Sequence, residues 1–187
     1  CLYEGHLPDT EVWCNDLAKM ITKAPIRVID LSLLELHNSR TFWDIGACTG
    51  SVSIEARRQY PHLNIQAFEV REECKDIIRA NARLHSAPGI DLHIGNFLNL
   101  PIAEDAIVDA VFIGGHGGKL KEIICKVASH LDKLKGKIVF NSVSEESNKL
   151  FREAVEENDL KLHSEMNITV DTNNPITILC ATGKYHV

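Results

Sequence analysis

The sequence predicts an α/β fold with a mostly parallel, seven-stranded sheet that finishes in an antiparallel hairpin. Three observations point to it. From Thr41 onward, apolar runs of strand length alternate with segments of helical period. A two-glycine turn, Gly46-Ala47-Cys48-Thr49-Gly50, joins the first of these strands to the helix after it. Near the end, only Asp171 to Pro175 separates two strands, too short a link for a crossover helix, so that pair must run antiparallel.

Residues 1–24 are mixed in composition and read as an amino-terminal arm, which leaves 25–187 as the domain. The chain opens on Cys1, so a piece of a longer protein is expected. Pro25 suits a first helical turn, and Ile26, Ile29, Leu33 and Leu36 follow on one face. Thr41 to Ile45 is a short apolar strand, Ser51 to Tyr60 a helix and Asn64 to Val70 a second strand. Glu72 to His85 is a helix with Cys74, Ile77, Ile78 and Leu84 turned inward, and Ile90 to Ile94 is the third strand. Ile107 to Ile113 is almost wholly apolar, which suits a central strand covered on both faces. Lys119 to Leu134 has one apolar stripe with lysines opposite. Lys137 to Asn141 is the fifth strand, and Ser142 to Glu145 has the form of a capping box opening a helix to Glu157. Leu160 to Val170 and Ile176 to Thr182 complete the sheet around the turn signal Asn173-Asn174-Pro175.

A chain of 187 residues, 44% of them apolar, can bury one sizeable core. Net charge is −6 with no long lysine and arginine stripe, which argues against a nucleic acid as main partner. No apolar run approaches the ~20 residues of a membrane span. The six cysteines form no C-x-x-C pair and have no zinc-finger spacing to histidine, so no metal site is expected. Free thiols in a reducing cytoplasm are the plain reading.

In sheets of this kind, ligands bind at the carboxyl ends of the strands, beside the switch in strand order. The first strand ends in Asp44-Ile45-Gly46-Ala47-Cys48-Thr49-Gly50, and the next helix points its amino end at whatever is bound. A dinucleotide turn wants G-x-G-x-x-G, but Cys48 and Ser51 stand where two of those glycines belong. D-x-G-x-x-x-G resembles more closely the first motif of the Rossmann-like class I S-adenosylmethionine-dependent methyltransferases. Glu69 ends the second strand about 20 residues on, where an acid can accept both ribose hydroxyls. The alternative for Glu69 is a surface glutamate at a helix start. Asn96, with Phe97 after it, follows the third strand; it can offer an acceptor to the adenine amino group or be a simple turn asparagine. The closing antiparallel hairpin also resembles methyltransferases rather than dehydrogenases.

The loop after the fourth strand reads Ile113-Gly114-Gly115-His116-Gly117-Gly118, with Lys119 next. It lacks the N-P-P-Y or D-P-P-Y of enzymes that methylate planar amines, and its free backbone N–H groups suit a bulky anion better. D-I-G-A-C-T-G-S-V-S-I-E followed by I-G-G-H-G-G resembles the carbon-15 methyltransferases of cobalamin biosynthesis. These often form the carboxy-terminal half of a decarboxylating precorrin-6Y methyltransferase. Gly5-His6-Leu7-Pro8-Asp9 looks like that family's G-x-P-D entry, Thr22-Lys23 with Arg27 like its T-K-x-E-x-R segment, and Asn141-Ser142-Val143 like its N-x-V. Cys48 departs from the family's middle glycine, Pro25 lies near a usual acid, and His116 replaces a small residue.

The resemblance implies methylation of a precorrin at carbon 15, with loss of carbon dioxide from the acetate on ring carbon 12. It implies that Thr22, Asp44, Gly46, Ala47, Cys48, Thr49, Gly50, Glu69, Asn96, Phe97, Ile113 and Gly114 bind S-adenosylmethionine. Lys23, Arg27, Gly115, His116, Gly117, Lys119 and Asn141 would border the tetrapyrrole, whose carboxylates need a local basic rim. Lys19, Lys23, Arg27 and Lys119 are the candidates for that rim, each otherwise a solvated side chain. A homo-oligomer, in particular a tetramer, is also implied, as is a possible fusion to a carbon-5 methyltransferase domain. The fold by itself would equally allow a methyltransferase acting on RNA or protein, or a cofactor-holding fragment without catalysis. Cys48 lies near a helix amino end, which could lower its thiol pKa, and bound cofactor would shield it.

Overall fold

The computed structural model describes residues 21–172 and 174–185. The G-x-P-D segment, Lys19, Cys1 and Cys14 lie outside the described residues. Helix α1 (Ala24–Leu33) precedes strand β1 (Thr41–Ile45), α2 (Ser51–Gln59), β2 (Asn64–Glu69), α3 (Cys74–Leu84) and β3 (Ile90–Ile94). Then come β4 (Ala110–Ile113), α4 (Leu120–His130), β5 (Lys137–Ser142), α5 (Glu145–Glu157), β6 (Leu160–Ile168) and β7 (Ile176–Gly183). They form one seven-stranded sheet in the order β3-β2-β1-β4-β5-β7-β6. β1 pairs in parallel with both β2 and β4, so strand order switches at β1. β7 runs antiparallel to β5 and to β6, between which it lies.

Side-chain alternation along each strand supplies two cores. Trp43 and Ile45 of β1 join Val111, Ile113, Ile138 and Phe140 beneath α4 and α5. Phe42, Ala110, Phe112 and Val139 point the other way, toward Ile26 and Leu31 of α1 and Val52 and Ala56 of α2. Central strand β4 is buried on both faces, as its apolar sequence requires.

Several elements differ from their sequence-based bounds. β4 starts at Ala110, not Ile107: Ile107 is exposed and Asp109 Oδ2 accepts the amides of Arg40 (2.6 Å) and Thr41 (3.1 Å). α4 stops at His130 because the chain then pairs with Val108, whose carbonyl accepts the Asp132 amide at 2.9 Å. Leu134 is therefore exposed. On α3, Asn81 takes the inward place, donating to the Thr49 carbonyl at 3.0 Å, and Leu84 faces solvent. The α5 cap is Ser144, whose hydroxyl accepts the Ser147 amide at 3.2 Å; Ser142 instead donates to the Ser144 carbonyl. Among the described residues, no helix is long and apolar enough to cross a membrane.

Candidate active site

The carboxyl ends of β1, β2, β3 and β4 surround a cavity of about 410 Å³ at the strand-order switch. Asp44, Gly46, Ala47, Cys48 and Thr49 line it at the end of β1. The turn is held by its backbone: the amides of Gly46 (2.8 Å) and Ala47 (3.1 Å) both donate to the Phe68 carbonyl. Gly46 has φ +78°, and a Cβ there would stand 2.6 Å from the Gly115 nitrogen, so only glycine fits. Asp44 is 1% exposed; its Oδ2 accepts the Ser53 hydroxyl (2.6 Å) and amide (3.1 Å), while its Oδ1 has no partner among the described residues. Burial pushes the Asp44 carboxyl up to about 6, against the Ser53 bonds that favour its charged form.

Cys48 occupies the left-handed region at φ +54°, which explains why a glycine would be easier there. Its amide donates to Glu69 Oε2 at 2.7 Å. Burial pushes its thiol up, and a hydrogen bond with Arg71 opposes this without reversing it. The expected activation by the nearby helix end is thus overridden by desolvation.

Glu69, at the end of β2, is 2% exposed and lines the cavity. Arg71, two residues on, donates to Glu69 Oε1 through its amide (3.0 Å) and Nε (2.9 Å), and to Oε2 through Nη2 (3.2 Å). Burial alone would raise the Glu69 carboxyl; the Arg71 and Cys48 hydrogen bonds outweigh it and hold the group below the usual range. Asn96 and Phe97 line the cavity after β3. Asn96 Oδ1 accepts the Leu98 amide at 3.0 Å, so its carbonyl also shapes the turn. Lys126 of α4 fixes that turn from below, with Nζ donating to the carbonyls of Phe97 (2.8 Å), Leu98 (3.3 Å) and Leu100 (2.8 Å), and lying 4.9 Å from the Phe97 ring centroid.

Gly114, Gly115, His116, Gly117 and Lys119 line the opposite wall, and Thr22 also faces the cavity. The Gly114 amide donates to the Ile45 carbonyl at 2.8 Å, fastening this loop to β1. Burial lowers the His116 pKa, and its Nδ1 accepts the Gly118 amide at 3.2 Å. A neutral ring in that arrangement carries its proton on Nε2. Lys119 Nζ lies 3.1 Å from Glu122 Oε1 in an exposed pair.

Five of the expected site residues do not line the cavity. Gly50 caps α2 at φ +80° and faces Ile78, where a Cβ would meet its Cγ2 at 3.0 Å. Ile113 is buried in the core, and Lys23 stands before α1. Arg27 is fully buried: its Nε donates to Glu55 Oε2 at 3.0 Å and its Nη1 to the Thr22 carbonyl at 2.7 Å. It belongs to an internal ion pair, not to a basic rim. Asn141 Nδ2 donates to buried Asp30 Oδ2 at 2.8 Å, tying β5 to α1. Residue-type reasoning passed over Arg71 and Ser53, which hold the two carboxylates of the site. The signal for Arg71 was a base two positions beyond the acid at a strand end; nothing local marks Ser53.

The precorrin methyltransferase domain family matches residues 13–179. The chain belongs to the precorrin methyltransferase family. It is 35% identical over 127 residues to a cobalt-precorrin-6B C(15)-methyltransferase (decarboxylating) of Salmonella typhimurium, a match covering 68% of this chain and 64% of that enzyme. The chain thus spans somewhat less than two thirds of that curated relative. The crystal structure of a precorrin-6Y C5,15-methyltransferase from Geobacter metallireducens superposes with a TM-score of 0.84 at 31% identity, covering 95% of this chain and 97% of that one. An O-methyltransferase of Streptomyces achromogenes involved in tomaymycin synthesis, solved in complex with S-adenosylmethionine, has a TM-score of 0.72 at 16% identity, over 88% of this chain and 82% of that one. That last likeness is one of fold.

Proposed function

We propose that this chain is an S-adenosylmethionine-dependent enzyme that methylates a precorrin at carbon 15 and removes carbon dioxide from the acetate on ring carbon 12, in cobalamin biosynthesis. The observation that carries the reading is the meeting of two motifs at one cavity. The glycine turn after β1 and the diglycine loop after β4 touch backbone to backbone at Gly46 and Gly115. Membership of the precorrin methyltransferase family supports the substrate class.

The residues present fit the cofactor. The bare Gly46 lets the Gly115 backbone close against the turn, which brings both loops to the wall of one cavity. Asp44 Oδ1 and Thr49 Oγ1 are buried at the cavity wall without partners among the described residues, which suits polar ligand groups. Glu69 stands ionised at the end of β2, positioned for a ribose diol. Thr22, Ala47, Cys48, Asn96, Phe97 and Gly114 complete that side. When bound, S-adenosylmethionine supplies an electrophilic methyl group. The chain's part is to hold donor and acceptor in line, which can remove ~7–11 kcal/mol of barrier. Gly115, His116, Gly117 and Lys119 face the acceptor: the loop's backbone N–H groups and the Lys119 ammonium meet its carboxylates, and neutral His116 donates from Nε2. In this reading the enzyme works in the cytoplasm as a homo-oligomer.

The test is mass spectrometry of a precorrin incubated with the chain and S-adenosylmethionine. A product that has gained one methyl group and lost carbon dioxide is expected. Cofactor binding with no such product overturns the assigned reaction.

A further inference from the structure

An ionised carboxylate offers about four lone-pair positions, two on each oxygen. At Glu69 all four are in use. Oε1 accepts the Arg71 amide (3.0 Å) and Arg71 Nε (2.9 Å); Oε2 accepts the Cys48 amide (2.7 Å) and Arg71 Nη2 (3.2 Å). The two amides belong to the fixed backbone around the cavity. The two guanidinium bonds belong to a side chain that is 28% exposed and lines the same cavity. When the guanidinium leaves, one position opens on each oxygen. A vicinal diol needs that pattern, since each hydroxyl donates to its own oxygen.

We propose that the Arg71 guanidinium is a built-in competitor for Glu69, holding the carboxylate ionised and aimed until the ribose diol of the cofactor takes over its two hydrogen-bonding positions. The inference rests on the cofactor reading given above. It makes Arg71 a positioning residue that sets cofactor affinity by exchange. The pair is partly open to water, which keeps the exchange within reach: a bond with an exposed partner contributes modestly, whereas a sealed one would be hard to break. Because Arg71 also interacts with the Cys48 thiol, the exchange loosens a contact on the first turn as well.

Calorimetric titration of the wild type, Arg71→Ala and Arg71→Gln with S-adenosylmethionine, adenosine and 2′,3′-dideoxyadenosine tests this, with the thermal midpoint of each ligand-free protein recorded alongside. Losing the competitor should tighten S-adenosylmethionine and adenosine by about 3- to 10-fold, the worth of an ordinary exchanged hydrogen bond. The ligand-free midpoint should fall at the same time, and dideoxyadenosine should bind variants and wild type alike. A merely structural Arg71 would lose affinity together with stability, so unchanged or weaker S-adenosylmethionine binding in both variants overturns the exchange. An equal gain for dideoxyadenosine overturns the assignment to the diol. Failure of the wild type itself to bind S-adenosylmethionine would instead remove the cofactor reading, and the exchange with it.

Discussion

On the β1–β2 side of the cavity, Gly46, Ala47, Cys48 and Glu69 sit in a closed set of bonds between 2.7 and 3.1 Å. On the β4 side, the loop is fastened to β1 at Gly114 and its later bonds close within itself, through His116, leaving an open tip: a Cβ on Gly117 or Gly118 would meet nothing within 4 Å among the described residues. One wall is assembled before any ligand arrives, and the other keeps room to adapt. Preorganisation suits a cofactor that is the same in every turnover. An open glycine tip suits a large acceptor with many carboxylates.

Four measurements would break or sharpen that contrast. The largest effect is expected from Arg27→Ala, which removes the guanidinium from buried Glu55 Oε2 and should cost about 3–5 kcal/mol of unfolding free energy. If it instead weakened only substrate binding, Arg27 would return to the open wall. Gly46→Ala should follow, at about 2–5 kcal/mol from positive φ together with the Gly115 clash, and should abolish cofactor binding. Gly115→Ala, whose Cβ meets only Gly46 Cα, at 3.9 Å, among the described residues, should leave stability nearly unchanged. Equal losses in the two variants would refute the asymmetry.

The third measurement uses pH. Two buried acids set the response, Asp44 at the end of β1, raised to about 6, and Asp30 on α1, raised to about 8, in both cases mainly by burial. Hydrogen bonds from Ser53 and Asn141, and the nearby Arg27 charge for Asp30, oppose these shifts. The folded chain keeps protons that the unfolded chain releases near 3.8. Stability therefore falls as pH rises from about 4, through both groups to about 6 and through Asp30 alone to about 8. Urea midpoints should trace this fall, and Asp30→Asn should abolish it between about pH 6 and 8 and leave a shallower fall, from Asp44 alone, below about 6. A wild-type midpoint that rises between pH 6 and 8 would contradict it. The smallest effect belongs to Gly117→Ala: about 1 kcal/mol or less, from φ +53° alone, with cofactor affinity unchanged by calorimetry.

The sequence exposed most of the sheet because strand ends are marked locally. Thr41–Ile45 and Ile90–Ile94 are bounded by glycine, proline or polar residues and match residue for residue. The end of α4 was hidden because a distant partner, Val108, takes the chain after His130. Two nearby serines made the α5 cap ambiguous, and only backbone geometry selects Ser144. At the site, glycines and the strand-end acid were legible because each position follows from the turn itself. Arg27 was misread because its partner Glu55 lies 28 residues away, and no spacing rule reaches that far. Arg71 stands just before the helix expected from Glu72, whereas α3 begins at Cys74 and the arginine folds back on Glu69.

The Gly46–Gly115 contact also bears on how such an enzyme can be diversified. A side chain at position 117 or 118 has open space among the described residues, so a library there can be screened for new acceptors with little risk to donor binding. Position 46 offers no such freedom, since its missing Cβ is the space the facing loop occupies. Acceptor range and donor recognition can therefore be varied separately, provided the seam between them is left alone.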